Sequence, residues 1–98
     1  MAQVWLPSEL QPYADGQQII EIEGSSVRQI VNNLDAEFPG LKDFLYDPDM
    51  DQIVGSMAVI IDGETSQLGL LDKVEPDSEV HFLPAIGGGL DPYLQWRK

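Results

Sequence analysis

Apolar positions alternate near both ends of the chain and recur at helical spacing between them. Val4-Trp5-Leu6-Pro7 predicts a first strand stopped by proline. Ala14-Asp15-Gly16-Gln17 is a turn signal, and Gln18-Ile19-Ile20-Glu21-Ile22-Glu23 predicts the second strand of a hairpin, rich in β-branched residues. Ser26-Val27-Arg28-Gln29 has the form of a capping box, with Ser at the N-cap and Gln three residues on. Val27, Ile30, Val31, Leu34 and Phe38 then form one apolar stripe on a helix of about three turns. Pro39-Gly40 ends it, and Leu41, Phe44 and Leu45 suggest a second short helical turn before Asp47-Pro48.

Met57-Ala58-Val59-Ile60-Ile61 is the strongest β stretch, closed by a tight turn at Asp62-Gly63. Ser66–Leu71 reads as a short edge strand, Leu71-Asp72-Lys73-Val74 as a turn, and Glu79–Leu83 as the last strand. The order is β-β-α-β-β with a short strand before the last. It predicts an α+β fold of the β-grasp type, a mixed sheet of four to five strands packed on one main helix.

Ninety-eight residues make one domain, and an apolar fraction of 43% supports one modest core. No segment is long enough to cross a bilayer, and no basic region followed by an apolar one marks a secretory signal, so the expected location is cytoplasmic. The net charge of −12 argues against nucleic acid, whose phosphates need clustered Lys and Arg. It favours fast encounter with a basic protein partner, or serves solubility. Residues 1–89 carry three bases and sixteen acids, whereas residues 90–98 carry Arg97 and Lys98 against Asp91 alone. There are no cysteines, which removes disulfides, thiolate metal sites and cysteine nucleophiles.

Little in the side chains suggests catalysis. His81, in the last strand, is the one histidine available to the serines, and no signature surrounds any of them. It reads as a half-exposed strand residue, and alone it makes no conventional zinc site. Asp47, Asp49 and Asp51 have the spacing that opens a calcium loop, but Gln52 stands at the required glycine and Ala58 at the bidentate glutamate. A solvated acidic loop is the expectation there, with no metal site.

The remaining signal is Phe82-Leu83-Pro84-Ala85-Ile86-Gly87-Gly88-Gly89, a strand running straight into three glycines. Glycine is costly to order, and three together give a thread with no side chains, able to enter a channel in which any Cβ would clash. A chain ending at Gly89 would present a free carboxylate on that thread, but here the carboxylate is in amide linkage to Leu90. The organisation is therefore a domain over residues 1–86, a glycine tail over 87–89 and an extension over 90–98. Tyr93, Leu94 and Trp96 make that extension apolar, fit either to dock on the body or to be recognised by another protein.

These residues resemble the ubiquitin-like sulfur carriers of the MoaD/ThiS family, and within it the CysO-type carriers of thiocarboxylate-dependent cysteine synthesis. The resemblance covers residues 1–89. It rests on Leu6-Pro7 with Pro12 and Gly16-Gln17, the helix from Val27, Leu45-Tyr46-Asp47-Pro48, and above all Leu83-Pro84-Ala85-Ile86-Gly87-Gly88-Gly89. It implies a carrier and not an enzyme, with no tightly bound cofactor. An E1-like partner uses ATP to adenylate the Gly89 carboxylate, and a sulfurtransferase or sulfide donor turns it into a thiocarboxylate. A sulfur-accepting synthase then takes the sulfur for cysteine, molybdopterin or another cofactor. Gly87 and Gly88 thread the tail, and a JAMM-type metalloprotease cleaves between Gly89 and Leu90. Partner docking is expected on the sheet, with His81 and Leu83 as candidates because they share one face of the last strand. Two alternatives stay open: a protein modifier joined to lysines through Gly89, and a binding module that keeps its extension.

Overall fold

The first and last strands of the domain lie side by side. The structure, a computed structural model, describes residues 1–85. The expectations placed on Gly87, Gly88, Gly89, Leu90, Tyr93 and Trp96 fall outside the described residues. Strand β1 (Ala2–Trp5) pairs antiparallel with β2 (Ile19–Ile22) and parallel with β7 (Glu79–Pro84). Strand β7 pairs on its other side with β5 (Met57–Ile61), which carries the two-residue β6 (Glu64–Thr65) at the far edge. The sheet order is β2-β1-β7-β5-β6, a mixed five-stranded sheet with β7 at its centre.

One helix, α1 (Val27–Glu37), covers one face. Ser26 Oγ accepts the Gln29 N–H at 3.2 Å, as expected of the N-cap. The box closes one residue further out than the pattern suggests, because Gln29 Oε1 accepts from the Ser25 N–H at 2.8 Å. Val27, Ile30, Val31 and Leu34 are buried to 1% exposure or less. They meet the inward residues of the sheet: Ala2 and Val4 from β1, Ile20 and Ile22 from β2, Val59 from β5, and Val80 and Phe82 from β7. Each such aliphatic, fully buried, contributes about 1.5–3 kcal/mol against leaving it exposed. Phe38 packs half-buried at the end of the helix, and Gly40 takes a φ of 100° to turn the chain into a 3-10 turn at Leu41–Phe44.

Several expectations are corrected. β1 starts and ends earlier than Val4-Trp5-Leu6 implies, since Leu6 leaves the ladder to enter the core while its N–H reaches Gln18 O at 2.9 Å. The edge strand is not Ser66–Leu71. Asp62 and Gly63 both take positive φ, 51° and 86°, which makes a two-residue hairpin loop and starts the returning strand at Glu64. Residues 69–71 form a 3-10 turn instead, with the Gly69 N–H on Ser66 Oγ at 2.9 Å. The acidic loop is a small hairpin, β3 (Tyr46–Asp47) with β4 (Gln52–Ile53). Among the described residues, no helix is long and apolar enough to cross a membrane.

Candidate functional site

The face of the sheet turned away from α1 is assembled by register. Because side chains alternate along a strand, burial of Val80 and Phe82 turns Glu79, His81 and Leu83 outward. Pairing then sets three rows across the sheet. Nearest the exit of β7, Leu83 lies beside Ala58. In the middle row Ile19, Trp5, His81, Ile60 and Thr65 stand in line from edge to edge. In the far row Glu21, Gln3 and Glu79 are neighbours. The face is therefore apolar where the chain leaves and acidic at the opposite end.

Trp5 and His81 hold the middle of this face. Their rings stack with centroids 4.9 Å apart and planes 10° apart. His81 Nε2 lies 3.4 Å from Glu79 Oε1, within the same strand. The Trp5 indole N–H is shielded from solvent and has no acceptor among the described residues. Ile19 and Leu83 each expose 40% of their surface, which leaves apolar groups on both flanks of the stack.

The exit itself is fixed. Pro84 lies opposite Met57, and the Ala85 N–H donates to Ser56 O at 2.8 Å, so the pairing of β7 with β5 holds the chain to the last described residue. Proline at this end of the strand offers no ladder donor and narrows the backbone to one φ region. The start of β7 is held as firmly. Buried Ser78 donates from Oγ to Asp62 Oδ2 at 2.8 Å and accepts from the Glu75 N–H at 2.9 Å. The Glu79 N–H donates to Asp62 Oδ1 at 2.9 Å, and this bond, then that from Ser78, holds the Asp62 carboxyl below the usual carboxylate range.

The polar residues on the other side of the molecule serve the fold. Arg28 on α1 grips both oxygens of Asp51 at 3.0 and 3.1 Å, and the Tyr46 hydroxyl donates to Asp51 at 2.6 Å. The Arg28 bond, then that of Tyr46, keeps the Asp51 carboxyl below its ordinary range, while the bond to Asp51 raises the Tyr46 phenol. Lys42 donates to Asn32 at 2.8 Å and sits 4.7 Å over the Tyr46 ring. Asp47 accepts the Asp49 and Met50 N–H groups and so shapes the β3–β4 turn. The D-x-D-x-D run thus splits between a turn and an ion pair. No three His, Asp or Glu side chains among the described residues stand close enough to share a metal. The largest concavity, about 700 Å³, is lined by Glu23, Ser25, Gln29 and Asn33 at the end of the sheet away from the β7 exit.

The two sequence-derived docking candidates, His81 and Leu83, do share the outer face. Sequence reasoning did not place Ile19, Ala58 and Ile60 there, and read Trp5 as either packed or covering an edge. Alternation along β1 hints at Trp5, but its pairing with His81 needs the β1–β7 register. The predicted thread and cleavage site, Gly87, Gly88, Gly89 and Leu90, continue from Ala85 beyond the described residues.

The model of the ThiS family matches residues 4–89. The sulfur carrier protein CysO of Mycobacterium tuberculosis is 25% identical over 89 residues, covering 88% of this chain and 96% of that protein. CysO in the crystal structure of the Amycolatopsis orientalis BexX/CysO complex superposes with a TM-score of 0.82 at 23% identity, over 91% of this chain and 100% of that one. The small archaeal modifier protein 1 of Methanosarcina acetivorans superposes with a TM-score of 0.71 at 24% identity, over 90% and 95% of the two chains. The structural likenesses establish the fold, and the family match ends on Gly89.

Proposed function

This chain belongs to the ThiS family, and from that premise we propose that it is a sulfur carrier that works through the carboxylate of Gly89 once residues 90–98 are removed. Its homologues are carrier proteins and not enzymes. One observation carries the reading: β7, held at both ends, leads from an exposed apolar face straight towards the three glycines at which the family match ends. A rigid platform with a side-chain-free thread suits delivery of a main-chain carboxylate into a partner's active site.

The chemistry balances without a nucleophile of this chain's own. In the E1-like partner a Gly89 carboxylate oxygen attacks the α-phosphorus of ATP, and pyrophosphate leaves. Hydrosulfide, or a persulfide sulfur, then attacks the acyl carbon and expels AMP. Adenylation converts an inert carboxylate into one with a good leaving group. The product is a thiocarboxylate, with sulfur on a main-chain atom, as a chain without cysteine requires. ATP belongs to the partner, and the carrier itself holds no cofactor. The outer face around His81 and Leu83 docks the activating enzyme and, in turn, the synthase that accepts the sulfur. A JAMM-type zinc protease would cut the Gly89–Leu90 bond, without which the carboxylate does not exist.

Intact mass tests this directly. Chains of residues 1–89 and 1–98 are incubated with a family E1-like enzyme, ATP and sulfide. The shorter chain is expected to gain the mass of oxygen-to-sulfur exchange and the longer one to stay unchanged. Failure of the 1–89 chain to form even the acyl adenylate would sink the proposal. The likeness in fold to a protein called a modifier keeps a second reading open. Transfer of Gly89 to lysine amines in cell extract, with no thiocarboxylate, would select it.

A further inference from the structure

We propose that residues 90–98 fold back over the outer face of the sheet and cover it, so that cleavage after Gly89 uncovers the docking surface as well as freeing the carboxylate. This rests on the reading of that face as the docking surface. The argument is one of matching order. From the exit of β7 the face runs from Leu83 and Ala58, through the row of Ile19, Trp5, His81 and Ile60, to Glu21 and Glu79. From Leu90 onward the extension presents Leu90, Tyr93, Leu94 and Trp96 first, then Arg97 and Lys98. A segment reversing at Gly87-Gly88-Gly89 and running back along β7 would lay its apolar residues on the apolar rows. It would bring its two cations to the two carboxylates.

The dimensions allow this. Leu83 and Glu79 are four residues apart on one strand, ~13 Å. Residues 90–97 can span up to ~26 Å, so the segment need not be fully extended. Tethering helps as much as contact. A short flexible linker gives an effective concentration on the order of mM, so even weak docking is well populated. The exposed charge pairs would orient the segment more than hold it. The holding contacts are Trp96 and Tyr93 on the face around the Trp5–His81 stack. A backbone carbonyl of the overlying segment would also supply the acceptor that the Trp5 indole N–H lacks among the described residues. Among those residues the three cations Arg28, Lys42 and Lys73 lie outside the three rows, so nothing on the face itself competes for Glu21 and Glu79.

The test is amide and indole NMR on three chains: residues 1–98, residues 1–89, and residues 1–98 with Trp96→Ala. Removing residues 90–98 is expected to shift the Trp5 indole N–H and the amides of Ile19, Ile60, His81 and Leu83. Trp96→Ala is expected to move the same signals the same way, and dilution to leave them unchanged. Shifts confined to residues 84–89 would overturn the proposal, since the face is then equally free in both chains. Shifts that vanish on dilution would overturn it too, because the extension then lies on a second copy. Sulfur loading of the 1–89 chain is scored separately. If that chain gains sulfur while its spectrum matches that of the full chain, only the covering is refuted. If the shifts appear but no sulfur is ever gained, the carrier reading fails and the covering stands.

Discussion

The His81 imidazole lies flat on the Trp5 indole, ring centres 4.9 Å apart, although the two residues sit in the last and first strands of the domain. The stack ties the parallel pair together on its open side while helix α1 seals the other side. An aromatic pair of this kind contributes about 0.5–1.5 kcal/mol beyond its buried area. His81→Ala is expected to lower unfolding free energy by about 1 kcal/mol in urea titrations and leave the fold intact. The same variant in the 1–89 chain is expected to raise KM for the activating enzyme more than it lowers kcat. A kcat loss at unchanged KM would place His81 elsewhere in the mechanism.

Neighbouring residues on β7 should separate binding from folding. Leu83 exposes 40% of its surface, whereas Phe82 is fully buried. Leu83→Asp is expected to leave the thermal midpoint within a few degrees and to weaken partner docking at least tenfold. Phe82→Ala is expected to destabilise by about 3–5 kcal/mol, read in denaturant unfolding. If both behave alike, the inward–outward assignment of the strand is wrong.

Acid should weaken the lock at the start of β7. The Asp62 carboxyl is held below its ordinary range by the Glu79 N–H and then by Ser78. With the folded pKa below the unfolded one, the carboxylate stabilises the protein fully above the unfolded value, about 4. That contribution is lost as pH falls through the folded value. Asp62→Ala is therefore expected to melt below wild type at pH 7, with the gap narrowing below about pH 4. A gap that stays constant with pH would mean the carboxylate charge is irrelevant to the turn.

Gly24 is a packing requirement. It takes a φ of 158°, and an added Cβ would stand 2.9 Å from Ile30 Cδ1 and 3.1 Å from the Ile30 backbone nitrogen. Ile30 is fully buried against the sheet and has little room to yield. Gly24→Ala is expected to cost about 1–3 kcal/mol, measured by thermal and urea unfolding. Gly16→Ala meets open space and bears only the strain of its positive φ, so it should cost less.

Local signals in the sequence located what local physics determines. The helix, its Ser26 cap and its buried stripe follow from 3.6-residue spacing, and Met57–Ile61 follows from an unbroken run of β formers. The outer face was only half legible. His81 and Leu83 share a face by alternation, but Ile19 and Ile20 are both apolar, and only pairing with Trp5 turns Ile19 outward. The misplaced edge strand has a similar cause. Leu68 and Leu71 look like strand residues, yet they are 63% and 70% exposed, and the two-residue loop at Asp62-Gly63 had already set where the return begins. Asp51 read as part of an acidic run because its partner, Arg28, comes from α1.

The central place of β7 also bears on how the protein is made. The strand between β1 and β5 is among the last parts of the domain to leave the ribosome, and its parallel partner among the first. Contacts between such distant stretches form slowly, since loop closure must precede their reward. A nascent or truncated chain lacking β7 has a gap in the middle of its sheet and not a frayed edge. The reactive end can therefore stand on a finished platform only when synthesis and folding are both complete, so half-made carriers give an activating enzyme nothing to grip.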